Sequence, residues 1–194
     1  MKVLLSSSFL AGALEATAKR DVRKSLTGVC VDFLNEEEVV IAGTDGYILV
    51  AVKCTPTFEE RGKFIGQIVI PRANVAVAVK VKETFVVLSA TKYGYALDSI
   101  VFEPIEHKFP PYARIIPDKI SGEVGSYDLA TLSRVAKSVQ KATGADSNPP
   151  VLYQNGRNAA AIQGQDTRVI GVIMPLHRAN PEFTVWTKPI TTKE

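Results

Sequence analysis

The sequence predicts an α+β fold built from repeated β-α-β-β-β units, with helices packed on antiparallel sheets. Two observations carry this prediction. Three stretches of the chain run through the same order of elements, and turn residues separate their short Val-, Ile- and aromatic-rich runs. Each stretch spans roughly fifty residues, which implies a modular protein in which each helix packs on a sheet.

The first stretch opens with a short strand, Lys2 to Ser6, followed by Ser7 and Ser8 as N-cap candidates for a helix over Phe9 to Lys19. Phe9, Leu10, Ala13 and Leu14 share one face of that helix. Strands are then expected at Thr27 to Leu34, Val39 to Gly43 and Tyr47 to Cys54. Asn35-Glu36-Glu37-Glu38 and Thr44-Asp45-Gly46 read as the turns between them, and Asp-Gly is a strong hairpin signal.

The second stretch begins with Phe64 to Ile70, after which Pro71 suits the first position of a helix. The residues that follow point two ways. Val75, Val77, Val79 and Val81 alternate with the period of a strand, whereas Ala73, Ala76 and Ala78 favour a helix. Strands are expected at Thr84 to Ala90, Tyr93 to Asp98 and Ile100 to Ile105. The segment Phe109 to Pro117 reads as an extended connector, because its prolines exclude regular helix.

The third stretch has the clearest helix, Leu129 to Thr143, with Asp128 as N-cap and Gly144 past its end. Leu129, Leu132, Val135, Ala136 and Val139 form its apolar stripe. Strands at Val151 to Gln154, Ala159 to Gln163 and Val169 to Met174 complete another unit, and a tail, His177 to Glu194, carries Phe183 and Trp186 among polar residues.

Composition narrows the function classes. The chain has 194 residues, 23 basic and 20 acidic, with a net charge of +3 and 46% hydrophobic residues. That excludes disordered, collagen-like and disulfide-stapled proteins. Cys30 and Cys54 stand apart without metal or redox spacing, which suits a reducing compartment. Three serines and Glu15 interrupt the apolar start, so a secretory signal ending at Ala16-Thr17-Ala18 is disfavoured. No stretch reaches the roughly 20 apolar residues of a membrane span, and a soluble cytoplasmic protein without membrane association is expected.

The cationic residues fall into patterns. Arg134, Lys137 and Lys141 recur along the third helix opposite its apolar stripe; Lys19, Arg20, Arg23 and Lys24 follow the first helix, and Arg72, Lys80 and Lys82 flank the second. A solvated helix face explains such a pattern, and so does a surface that meets phosphates. Enzymatic chemistry has little to stand on. His107 and His177 lie in no metal or triad spacing, and the chain has no phosphate-binding glycine loop or nucleophile elbow. Asp45 is the sole candidate general base, and an Asp-Gly turn accounts for it without catalysis. No enzyme activity, no cofactor and no metal site are expected.

Several separated segments together resemble the bacterial DNA polymerase III β subunit, the sliding-clamp family. Asp21-Val22-Arg23-Lys24-Ser25-Leu26-Thr27-Gly28, followed by Gly43-Thr44-Asp45-Gly46-Tyr47-Ile48-Leu49-Val50-Ala51-Val52, is similar to the family's DVR..L.G and ATDGHRLAV. Val69-Ile70-Pro71-Arg72 is similar to IVPRK, Phe109 to Pro117 to FPDYRRVIP, and Val172-Ile173-Met174-Pro175-Leu176 to VVMPMRL. Their order and spacing carry the resemblance, which covers most of residues 1–176. Tyr47-Ile48 departs from the family's His-Arg pair.

The resemblance implies a DNA-clamp, or processivity, fold in a shortened form. Residues 1–108 match the family's middle domain, 109–121 a Pro-rich connector and 122–176 the last half of its third domain. The tail 177–194 has no counterpart, nor has the family's first domain one here. It implies double-stranded DNA as a partner, met without sequence reading by Lys19, Arg20, Arg23, Lys24, Arg72, Arg134, Lys137 and Lys141. It also implies a hydrophobic cleft for peptides of a DNA polymerase and other clamp-binding proteins. The matching positions are Leu26, Thr44, Gly46, Tyr47, Ile48, Leu49, Pro110, Arg114, Ile115, Val172, Ile173, Met174 and Pro175.

The expected function is thus a DNA-encircling, peptide-binding processivity factor, a compact form suited to a phage, with a clamp loader as a further partner. If a ring needs roughly a dozen such units, four copies joined head to tail close it. The alternative is a clamp mimic or adaptor that binds replication proteins without encircling DNA. A further expectation is that Phe183 or Trp186 docks on the chain's own cleft or on a neighbouring subunit.

Overall fold

The computed structural model describes residues 2–60, 66–81, 83–144 and 149–177. The first stretch folds as β1 (Lys2–Ser6), α1 (Ser7–Ala16), β2 (Gly28–Phe33), β3 (Val39–Thr44) and β4 (Ile48–Cys54), with a 3-10 turn at Lys24–Thr27. Helix α1 starts two residues earlier than expected, with Ser6 as its N-cap, and stops at Ala16. Thr17 turns extended there, and its hydroxyl donates to the Leu14 carbonyl at 2.8 Å. The Asn35 turn is held by the Asn35 Oδ1, which accepts from the Glu37 and Glu38 amides.

The second stretch gives β5 (Thr57–Glu60), β6 (Gly66–Pro71), α2 (Arg72–Ala78), β7 (Phe85–Thr91), β8 (Gly94–Leu97) and β9 (Ile100–Phe102). Strand β5 is an addition to the expected elements, an edge strand paired to β1. Phe64, at the expected start of β6, lies outside the described residues. Pro71 ends the strand and caps the helix instead of opening it. The Ala-Val segment resolves as helix because Val75 and Ala78 reach the core while Val77 and Val81 stay exposed.

The third stretch gives α3 (Leu129–Thr143), β10 (Val151–Tyr153), β11 (Ala160–Gln163) and β12 (Val169–Ile173). The Asp128 side chain accepts from the Thr131 amide at 2.8 Å, and Gly144 closes the helix. Among the described residues no strand leads into α3, so this unit lacks the opening strand of the other two.

Two antiparallel sheets result, one ordered β5-β1-β7-β8-β9 and the other β10-β11-β12-β4-β3-β2-β6. The larger sheet takes strands from all three stretches. Its decisive seam pairs β12 with β4, setting Val172 opposite Leu49 and Ile173 opposite Ile48. The main core gathers apolar side chains of both sheets around the three helices, including Leu5, Leu10, Val31, Val50, Val75, Leu88 and Val139. Helix α1 packs against both α2 and α3. Seven of its ten residues are buried, and Ser7, Ser8 and Glu15 are half-buried.

The larger sheet is also covered on its second face. Cys30, Val40, Ala42, Leu49, Ala51, Val69 and Val172 meet Phe109 and Tyr112 there, with Ile105, Ile115 and Ile116 packed alongside. The Pro-rich stretch is therefore more than a connector. It contains a 3-10 turn at Tyr112–Arg114 and acts as a lid on the sheet. The Tyr112 hydroxyl donates to the Asp32 carboxylate at 3.0 Å, which Gln67 also reaches at 3.0 Å, giving a nearly buried carboxylate two partners.

Candidate functional site

The lid and the β4/β12 seam enclose a notch. Thr44, Gly46, Tyr47, Ile48, Leu49, Arg114, Ile115, Ala159, Val172 and Met174 line an open cavity of about 310 Å³. Three segments distant in sequence meet in it. Their meeting follows from strand pairing, since β12 beside β4 brings residues 172 and 174 to the turn that ends β3. The Met174 amide donates to the Tyr47 carbonyl at 2.9 Å, continuing the ladder past the end of β12.

The turn that walls the notch is tightly held. Asp45 Oδ1 accepts from the amides of Tyr47 and Ile48 at 2.9 and 3.0 Å. Thr44 Oγ1 accepts from the Gly46 amide at 3.0 Å and donates to the Ile48 carbonyl. Gly46 has φ +94, a left-handed conformation that suits glycine. On this fixed frame Tyr47 is 70% exposed and Met174 43% exposed, two large side chains facing solvent at the mouth of an apolar floor. Such a site can hold apolar side chains of an extended peptide. Met174 supplies an adaptable wall and Arg114 a charged rim.

Nine of the thirteen expected cleft residues line this cavity, namely Thr44, Gly46, Tyr47, Ile48, Leu49, Arg114, Ile115, Val172 and Met174. Leu26, Pro110, Ile173 and Pro175 do not. Ile173 belongs to the helix-side core, because alternate residues of a strand face opposite sides and Val172 and Met174 take the notch side. Leu26 is 1% exposed and Pro175 is buried. Ala159 went unrecognised in the sequence; it reaches the notch only because β11 follows β12 in the sheet.

The basic residues divide into two groups. Lys19, Arg20, Lys24 and Lys137 are exposed and make no ion pair among the described residues. The others are engaged. Arg23 pairs with Asp21 at 3.0 Å, and its guanidinium holds the Asp21 carboxyl down to about 2. Lys141 pairs with Glu15 across the α1–α3 seam at 2.6 Å, and that hydrogen bond lowers the Glu15 pKa. Arg134 pairs with Asp45. Arg72 is half-buried and donates from one Nη to the Leu14 carbonyl and the Thr17 hydroxyl, tying α2 to the end of α1. The expected free basic stripe of α3 is thus revised, since Lys137 alone of its three cations lacks an ion pair among the described residues.

Asp45, the candidate base, has its carboxylate occupied by two amides and the Arg134 guanidinium. Among the described residues no group of three or more His, Cys, Asp or Glu is placed to hold a metal ion, and no helix is long and apolar enough to cross a membrane.

Comparison of the whole fold is decisive for its class. The DNA polymerase III subunit beta of Pseudomonas aeruginosa superposes with a TM-score of 0.69 over 92% of this chain, at 14% sequence identity. The fold is that of a bacterial sliding clamp. The DNA polymerase sliding clamp of Caulobacter crescentus matches with a TM-score of 0.69 over 91% of the chain at 15% identity, and that of Bacillus subtilis with 0.68 over 92% at 11%. This chain spans about two thirds of their length: 67% of the Pseudomonas chain and 65% of each of the other two. No protein-family model and no curated protein sequence gives a match. The clamp likeness therefore lives in the fold far more than in the sequence.

Proposed function

We propose that the protein is a sliding-clamp-like processivity factor: a non-enzymatic ring of several copies that surrounds duplex DNA and holds partner peptides, those of a DNA polymerase among them, in the notch beside β4 and β12. The clamp fold over nine tenths of the chain supports the general reading. The observation that carries the peptide part is the open apolar notch, with Tyr47 and Met174 exposed at its mouth. Exposed cations at Lys19, Arg20, Lys24 and Lys137 suit weak, salt-sensitive contacts to phosphates, which a sliding ring needs more than a few strong ones. Residues 1–108 would serve as one clamp domain and 122–176 as half of another.

The test uses a fluorescently labelled peptide carrying the clamp-binding segment of a bacterial polymerase. Met174→Asp places a charge in the notch and is expected to weaken capture by at least about tenfold, since an unpaired carboxylate there loses hydration without a partner. Unchanged affinity would remove the peptide reading. Retention on covalently closed circular DNA, with release on linearisation, tests encirclement.

A second reading, an adaptor that captures replication proteins without surrounding DNA, is favoured by one observation. Asp21, Asp45 and Glu15 neutralise Arg23, Arg134 and Lys141, which leaves a thin cationic surface. It predicts a monomer at micromolar concentration with and without DNA, together with full peptide capture.

A further inference from the structure

The turn that walls the notch and the outer face of α3 are joined by one ion pair, and this gives Arg134 a different task from its neighbours on that helix. Asp45 uses both oxygens. Oδ1 holds the Tyr47 and Ile48 amides, and Oδ2 meets the Arg134 guanidinium across the sheet–helix boundary. The Asp45 side chain is only 12% exposed, so this contact is shielded from solvent on the carboxylate side. Arg134 Nε is itself buried without a hydrogen-bond partner among the described residues, so a desolvated donor is tolerated to seat the guanidinium here. The Arg23 guanidinium also lies against this turn, 3.1 Å from where a β-carbon of Gly46 would stand.

From this arrangement we infer that Arg134 is a positioning residue of the notch: through Asp45 it fixes the Gly46–Tyr47 wall against α3. The inference rests on the peptide-binding reading. Lys137 and Lys141 share the helix but not the task. Lys137 makes no ion pair among the described residues, and Lys141 spends its charge on Glu15, whose helix contributes no residue to the notch.

The experiment measures affinity of the full chain for the labelled polymerase peptide, with thermal unfolding of every variant alongside. Arg134→Gln removes the charge, and Asp45→Asn keeps the Oδ1 acceptor of the turn while removing the carboxylate. Each is expected to weaken peptide binding by about fivefold, and the double variant by no more than either alone, as for two ends of one interaction. Arg134→Lys should recover part of the loss. Lys141→Gln, which breaks the comparable pair on the same helix, should leave peptide affinity unchanged whatever it does to unfolding. Additive losses in the double variant, or an equal loss in Lys141→Gln, would assign Arg134 to general stability and overturn the inference. Wild-type binding with no change in Arg134→Gln would overturn it as well. A wild-type chain that fails to bind the peptide would instead bring down the underlying peptide reading.

Discussion

Gly12 of α1 lies directly against Ala142 of α3: a β-carbon on Gly12 would stand 2.5 Å from the Ala142 Cβ and 2.7 Å from the Ser138 carbonyl oxygen. The two helices touch through their smallest side chains. Gly12→Ala would raise helix propensity by about 1 kcal/mol, but the forced separation costs about 1–3 kcal/mol in a packed interior. The clash should win, and urea unfolding should show a lower midpoint for the variant. A stabilised variant would mean the helices do not meet as described.

Tyr112 ties the lid to the sheet through Asp32. Tyr112→Phe should cost about 1–2 kcal/mol by leaving a nearly buried carboxylate with one partner fewer. It should also weaken peptide capture, because Arg114 and Ile115 ride on the same segment. Denaturant titration and peptide affinity read the two effects separately.

Burial, helped by the Asp32 hydrogen bond, raises the Tyr112 pKa above the ordinary phenol value. A phenol whose pKa is raised on folding contributes stability that is fully present below its unfolded value, about 10, and lost as pH climbs toward the folded value. Wild-type stability should therefore fall more steeply above pH 10 than that of Tyr112→Phe. Parallel curves would contradict the contact.

At the acidic end the relevant pair is Glu15–Lys141. The Glu15 pKa is depressed by its hydrogen bond to Lys141, so its contribution exists above the unfolded carboxylate value, about 4.5, and vanishes as pH falls through the folded value. Both partners are substantially exposed, which limits the worth of the pair to about 0.2–1 kcal/mol. Lys141→Gln should be less stable than wild type at pH 7 and equally stable at pH 2, as thermal unfolding at the two pH values would show.

The two thiols should behave differently toward a disulfide reagent. Cys30 is fully buried, and burial raises its pKa well beyond the usual thiol range. Cys54 is half-buried and raised less far by the same cause, with Arg168 opposing. Cys54 should react slowly in the native protein and Cys30 only on unfolding. Two equally fast thiols would argue against the burial of β2.

Much of the fold was readable from local signals. Asp128 and Gly144 marked the ends of α3, and the Asp45-Gly46 turn separated β3 from β4, because caps and tight turns demand particular residues whatever surrounds them. Helix α2 was not readable, since its valines alternate and only burial of Val75 and Ala78 chose between periods. Strand β5, polar and at an edge, carries no pattern, because it packs one face at most. At the notch, motif spacing found most of the lining but swept in Ile173, which strand alternation alone assigns to the other face. The ion pairs of Arg134 and Lys141 were invisible for another reason: their carboxylates lie in other elements, and helix periodicity describes only one partner.

The β4–β12 seam has a consequence for biosynthesis. Strand β4 leaves the ribosome long before its neighbour β12, so the nascent chain carries an unsatisfied apolar edge until β12 is made. Topology of this kind slows folding, because distant pieces must find one another before their contacts reward the search. A chain released before Val169 would have no strand to lay against β4, and that exposed edge is where aggregation of prematurely terminated products should begin.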